Sequence, residues 1–284
     1  MPHVVHADRV SRTFGTVTAL DDVSLVVGAG EAVGVLGPNG AGKSTLLSLL
    51  AGLRRPSAGT VRVGGGDPRD PATRTRIGVT PQTTGLPQTL KVREVVDFVA
   101  GHHRDPLPRT ELLKTFDLTG LAGRQCGALS GGQQRRVCVA LAFVGRPDVV
   151  MLDEPTTGLD VTARMALWDA VRGFTARGGT LLLTSHHLEE VEALASRVVL
   201  VDHGRVVVEG SVAEVRARST VRRVRWTGPD GPVETLEADA DEAVRALVRS
   251  GVPFRDLEVG GATLEAAFLD LTGAGPTGAG DGRS

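Results

Sequence analysis

An α/β fold around a parallel sheet is predicted by three features of this 284-residue chain. Short apolar runs, Ala32 to Leu36, Val149 to Leu152 and Thr180 to Leu183, each end at a polar or Gly-rich element. Runs of that length bounded by turn residues suit strands covered on both faces. Helical periodicity follows: Leu46, Leu47, Leu49 and Leu50 before Gly52, then Leu188, Val191, Leu194 and Ala195 after the third run. The length, at about 150 residues per domain, allows one large domain with or without a small companion. Ligands in such sheets gather at the carboxyl ends of the strands, so the residues after each run are where chemistry is expected.

Composition narrows the class. The chain is 41% hydrophobic and 23% charged, which excludes wholesale disorder. Lys+Arg 32 against Asp+Glu 33 leaves no cationic excess to serve as a nucleic-acid footprint. Lysine occurs only at 43, 91 and 114, a bias consistent with genome base composition. No segment approaches the roughly 18–20 apolar residues of a membrane-spanning helix, and Met1 to Val10 carries no charged-then-apolar leader pattern. Cys126 and Cys138 match neither a metal spacing nor a disulfide framework, so reduced thiols in the cytosol are expected.

The remaining elements follow in order. Residues 83–128, with Pro87, Pro106 and Pro108, carry helical patterns around Val92 to Ala100 and Thr110 to Phe116, and read as a mostly helical insertion. The texture changes again beyond about 218. A strand, Val221 to Trp226, meets the turn Gly228 to Gly231; Asp239 and Glu242 stand at capping-box spacing before a helix with a face of Ala243, Val244, Leu247 and Val248, closed by Gly251. A last helix aligns Leu264, Ala267, Phe268 and Leu271, and a Gly-rich tail, 274–284, is expected to be disordered.

Three motifs carry chemistry. Gly37-Pro38-Asn39-Gly40-Ala41-Gly42-Lys43-Ser44 fits a phosphate-binding loop. Glycines let consecutive N–H groups face phosphate oxygens without Cβ interference. Lys43 supplies a point charge for the β- and γ-phosphates, Ser44 a hydroxyl for Mg²⁺, and the following helix its positive end. Val149 to Leu152 ends in adjacent carboxylates, Asp153 and Glu154, which leave a strand end in different directions. Asp153 can therefore serve the Mg²⁺ shell while Glu154 faces water in line with the γ-phosphate, as general base or water-orienting group. Leu129-Ser130-Gly131-Gly132-Gln133 places an N-cap serine and two bare amides before a helix with a face of Val137, Ala140, Leu141 and Val144, a second anion-binding helix end.

With these residues in view, the chain resembles the nucleotide-binding subunit of an ATP-binding cassette (ABC) transporter over about residues 4–218. Gly37 to Ser44 resembles the Walker A loop, Val149 to Glu154 the Walker B strand, and Leu129 to Gln133 the family signature. Gln82 resembles the Q-loop glutamine, Asp160 in Gly158-Leu159-Asp160 the D-loop, and His186 the switch histidine. The resemblance implies a P-loop NTPase cassette: a RecA-like core with an antiparallel β subdomain, a helical subdomain at about 83–145, and a small α+β C-terminal domain at 219–273. It implies ATP and Mg²⁺, with Ser44, Gln82 and Asp153 serving the metal and Glu154, His186 and Lys43 the reaction. Thr45 would join the nucleotide-binding loop, and Phe14 would stack on adenine where relatives often carry Tyr. The signature, Leu129 to Gln133, would act on the ATP of a second cassette, either another copy or a different chain.

The resemblance further implies a transmembrane permease docked against the 83–128 insertion and a peripheral position on the inner face of the membrane. The ending Ala262 to Gly273 is similar to that of bacterial drug- and antibiotic-exporter ATPase subunits. The rival reading is a soluble ABC ATPase that moves no solute and acts on nucleic acid, ribosomes or an assembly pathway. A nucleotide-binding regulator without turnover is disfavoured by the intact Glu154 and His186.

Overall fold

The computed structural model describes residues 3–80 and 85–271. The chain divides into two compact units, Met1–Val206 and Val207–Ser284. The sequence placed its change of texture at about 218, one strand and one helix later.

The first unit opens with two long strands, β1 (His3–Phe14) and β2 (Val17–Gly28), and then the short β3 (Ala32–Leu36) and α1 (Lys43–Leu50). β4 (Ala58–Val63), α2 (Pro71–Arg74) and β5 (Ile77–Thr80) follow. The helical segment holds α3 (Val92–Ala100), α4 (Arg109–Thr115), two 3-10 turns at Thr119–Leu121 and Cys126–Ala128, and α5 (Gly131–Leu141). β6 (Val149–Asp153), α6 (Val161–Ala176), β7 (Thr180–Thr184), α7 (Leu188–Leu194) and β8 (Arg197–Asp202) lead to β9 (Arg205–Ser211), within which the division falls.

Two sheets form. β2-β1-β4 is antiparallel; the other runs β5-β6-β7-β3-β8-β9, with every pair from β5 to β8 parallel. Every residue of β3, β6 and β7 is buried, as their unbroken apolar runs require. Because these strands are parallel, Leu36, Asp153 and Thr184 all reach the same edge of the sheet. One apolar core joins the sheets to α1: Leu46, Leu49 and Leu50 pack with Val33, Val35, Met151 and Leu182, and with Val5, Leu20 and Leu25 from the antiparallel layer. Burying a leucine stabilises by about 1.5–3 kcal/mol, so this cluster holds the loop before α1 in register with the strand ends.

In the second unit, α8 (Val212–Arg218) is followed by β10 (Arg222–Gly228), β11 (Gly231–Glu237), α9 (Ala240–Arg249), β12 (Arg255–Gly261) and α10 (Leu264–Leu271). The sheet is antiparallel in the order β11-β10-β12, with Arg225 between Glu234 and Glu258. Asp239 caps α9 by accepting the Glu242 N–H at 2.9 Å. The expected face of α9 needs one correction. Ala243, Val244 and Leu247 are half-buried, but Val248 is 59% exposed. A helix lying on a sheet buries only a stripe of its surface, and Val248, about 100° on from Leu247, falls outside it. The expected tail, 274–284, lies outside the described residues.

Candidate nucleotide site

The loop after β3 is pressed against β2. Gly42 has φ +105°, and a Cβ there would stand 2.5 Å from the Ala19 carbonyl oxygen and 2.7 Å from Leu20. Only glycine fits, which leaves the first amides of α1 bare. Lys43 curls back so that Nζ donates to the carbonyls of Gly37 at 2.8 Å and Pro38 at 3.0 Å. The lysine is 7% exposed; burial lowers its pKa, and the nearby charges of Glu154 and Asp153 pull the other way. Ala41 is buried beneath the loop.

The two acidic residues after β6 separate as expected. Asp153 Oδ1 accepts from Ser44 Oγ at 3.1 Å and from Thr184 Oγ1 at 2.5 Å. Glu154 adopts the left-handed conformation, φ +53°, which for a residue with a Cβ costs roughly 1–2 kcal/mol. Its N–H offsets that cost by donating to both Thr184 O and Thr184 Oγ1, each at 3.1 Å. The twist swings the Glu154 carboxylate away from Asp153 and onto His186, whose Nδ1 donates to Oε2 and whose backbone N–H reaches the same oxygen at 3.3 Å. His187 lies beside it, ring centroids 4.0 Å apart, with its pKa lowered first by burial and then by the neighbouring imidazole.

The segment before α5 behaves as a capping box. Ser130 Oγ accepts the Gln133 N–H, and Gln133 Oε1 accepts the Ser130 N–H, both at 3.2 Å. This tie occupies an acceptor lone pair of Ser130 and leaves its O–H to donate outward. A Cβ on Gly132 would collide with the Gly158 carbonyl, so this glycine permits close packing of the signature on the Asp160 loop. Asp160 caps α6, accepting the Ala163 N–H at 2.8 Å.

Three cavities adjoin along this edge. One of about 340 Å³ is lined by Asn39, Gly40, Gly42 to Thr45 and Glu154. Another, about 310 Å³, reaches from Ser44, Thr45 and Asp153 to Phe14 and Arg54. The third, about 720 Å³, joins Asn39 and Glu154 to Ser130, Gly131, Gly132, Gly158 and His186. The structure thus brings the Gly37–Ser44 loop, Asp153 and Glu154, His186 and Ser130 to one face, as the motifs predict. Leu129 instead anchors in the interior, and Gln133 is spent on the cap. Phe14 is 37% exposed at the end of β1, with the guanidinium carbons of Arg12 and Arg54 at 4.6 and 5.2 Å from its ring centre. Gln82 lies outside the described residues. A further cavity of about 420 Å³ opens at the opposite ends of β5, β6 and β7, between Phe143, Phe174 and Arg177, and holds none of the motif residues.

Sequence reasoning missed Thr184 and Arg135. Thr184 organises both acidic residues. Arg135, 4% exposed on α5, donates to the Asp153 backbone carbonyl and ties the signature helix to β6; burial lowers its pKa. A threonine inside an apolar strand and one arginine beside another carry no periodic signal, so only the fold reveals them.

With the geometry in place, comparison with known proteins is decisive. Residues 20–157 match the model of the ABC transporter family. The daunorubicin resistance ATP-binding protein DrrA3 of Streptomyces coeruleorubidus is 37% identical over 95% of this chain and 96% of its own. The chain belongs to the ABC transporter family. The Nod factor export ATP-binding protein I of Burkholderia lata is 41% identical over 93% of this chain and 95% of its own. Among solved structures, the dimeric ATP-binding cassette MJ0796, in a post-hydrolysis state bound to ADP and Pi, superposes with a TM-score of 0.67 at 26% identity, covering 73% of this chain and 98% of that one. The expected family and cassette fold are therefore borne out. This chain is an ABC ATPase, and among its described residues no helix is long and apolar enough to cross a membrane.

Proposed function

We propose that two copies of this cassette close face to face on two Mg-ATP molecules and that the cycle of closure and hydrolysis drives an export permease. One observation carries the reading: the Lys43 loop and the Ser130-capped helix open on one face of a single chain, with Glu154 and His186 between them. Each helix end presents N–H groups and a positive dipole to an anion. Facing a second copy, the loop of one would grip the triphosphate and the serine of the other would cover the γ-phosphate. The dimeric relative supports this arrangement.

In this reading Glu154 Oε accepts a proton from water as the water oxygen bonds to the γ-phosphorus and the bond to the β-bridging oxygen breaks, releasing ADP and phosphate. His186, bonded to Glu154 through Nδ1, holds that carboxylate in line and contacts the γ-phosphate. Lys43 neutralises the β- and γ-oxygens, and Phe14 offers its face to the adenine. Ser44 Oγ and Asp153 Oδ1, 3.1 Å apart, are hard oxygen donors of the kind Mg²⁺ accepts and would hold it beside the phosphate loop. Bound there, Mg²⁺ would neutralise charge developing on the phosphates. Gln82 is proposed to report the occupied state to the helical insertion.

Export, a membrane partner and a cytoplasmic position at the membrane are supported by the relatives, named for drug resistance and for Nod factor export. On the insertion, Phe98 of α3 is 66% exposed, an apolar surface of the kind a permease loop would cover. The test is Glu154→Gln. It should retain ATP binding, lower turnover by roughly 10²–10⁴-fold as loss of a general base does, and accumulate a dimer in Mg-ATP on size exclusion. Rapid hydrolysis by this variant refutes the assignment.

A further inference from the structure

Glu190 is a carboxylate that the mechanism above does not use, and it is 0% exposed. It lies on α7, four residues after His186. A carboxyl group so deep persists only where hydrogen bonds replace its water, and here two other segments supply them. Thr156 Oγ1 donates to Oε2 at 3.0 Å and Trp168 Nε1 donates to Oε1 at 3.3 Å, while the Glu190 N–H itself donates to His187 O at 3.0 Å. Burial raises its pKa against the pull of these donors.

The donors sit at informative places. Thr156 is two residues beyond Glu154, and its carbonyl accepts the Leu159 N–H at 3.0 Å, shaping the turn that leads to Asp160. Trp168 lies on α6, the helix that Asp160 caps. Ser185 precedes His186, its Oγ accepts the His187 N–H at 2.9 Å, and His187 O accepts the Glu190 N–H at 3.0 Å, so Glu190 opens the helix that follows the histidine loop. One buried group thus joins the Glu154 loop, the Asp160 helix and the His186 loop.

We infer that Glu190 is a positioning residue that locks the His186 loop to the Glu154–Asp160 segment, so that histidine and glutamate are set as one unit against the γ-phosphate. The inference rests on the role given to His186 above. A simple packing residue would need no acceptor for two donors drawn from two other segments. The amide of Glu190→Gln has nearly the same shape, and its oxygen can still accept from Trp168. Its NH₂, however, can meet Thr156 only if that hydroxyl turns round to accept, which replaces a bond to the carboxyl by a weaker neutral one and loosens the Glu154 loop.

The experiment is a kinetic cycle on the full chain with Mg-ATP. Glu190→Gln should lower kcat about tenfold or more while KM for ATP stays within twofold, because the phosphate loop is untouched. In a His186→Ala background, measured by residual turnover over long incubations, the same change should cost nothing further. Thr156→Val and Trp168→Phe each delete one donor without touching a charge; they should lower kcat about threefold each, and they keep the test alive if Glu190→Gln does not fold. Losses that multiply with His186→Ala overturn the inference, as does wild-type kcat in Glu190→Gln, or in both single-donor variants. A crippled His186→Ala beside an intact Glu190→Gln would sink this inference alone, whereas wild-type turnover in His186→Ala overturns the reading of His186 and this inference with it.

Discussion

Thr184→Val is nearly isosteric and deletes one hydroxyl at the point where β7 meets the two acidic residues. The lost bonds can be weighed separately. The donation from Oγ1 to Asp153 Oδ1, 2.5 Å long, is buried and runs to a carboxylate, which is 6% exposed. Hydrogen bonds to charged groups contribute about 1.5–3 kcal/mol. The second bond, from the Glu154 N–H to Oγ1, has a substitute already in place, because the same N–H lies 3.1 Å from Thr184 O; its loss should cost little. The net expectation is a loss of about 2 kcal/mol. For a cooperative unit of about 200 residues that is a fall of roughly 4–8 °C in Tm. Thr184→Ser keeps the hydroxyl and drops one methyl, at about 0.8 kcal/mol, so it should lie between wild type and valine. Urea titration and calorimetry, following the transition of the first unit, provide the assay. If valine matched wild type within about 0.5 kcal/mol, or serine were the worse variant, the claim that this hydroxyl holds Asp153 in place would be wrong.

Ser130→Ala removes an N-cap, so about 1 kcal/mol of stability should go, while ATP affinity of the monomer, followed by titration with a fluorescent nucleotide, stays unchanged and hydrolysis collapses. Gly42→Ala forces a Cβ against Ala19 at a φ suited to glycine and should abolish nucleotide binding in equilibrium dialysis. Burial pushes the Cys138 thiol up to about 11 from 9.0. The stability this contributes is complete below pH 9, where both states keep the proton, and is lost as pH rises towards 11, because the unfolded chain ionises first. Thiol labelling at pH 8 should therefore be slow in the folded protein and fast in urea, and Cys138→Ser should flatten the alkaline loss of stability measured between pH 9 and 11.

What could be read from the residues divides along a physical line. β3, β6 and β7 were legible because strands covered on both faces must be apolar throughout, and the breaks at Gly37, Asp153 and Thr184 mark where the sheet ends and ligand chemistry begins. Ser130 was legible as a cap because its partner, Gln133, is three residues away. Contacts distant in sequence were not. Thr184 meets Asp153 across 31 residues, Glu190 meets Thr156 across 34, and Arg135 reaches the Asp153 carbonyl across 18. No local pattern encodes such pairs, since each residue type is unexceptional where it stands.

The same distinction explains the division of labour within the site. Residues that would touch the nucleotide come from contiguous motifs, because a phosphate needs several N–H groups from one turn of backbone. The residues that hold those motifs relative to one another come from scattered positions, because a parallel sheet brings together strand ends that the chain reaches only after long crossovers. Glu154 shows the consequence. Its neighbour Asp153 faces Ser44 and Thr184, yet Glu154 itself, turned by a left-handed φ, faces His186. Two adjacent carboxylates acquire different partners only because Thr184 accepts the N–H of one and donates to the carboxylate of the other. The placement of the two acidic residues in this ATPase is thus fixed by a threonine on the neighbouring strand as much as by their own motif, and a search confined to motifs would pass it by.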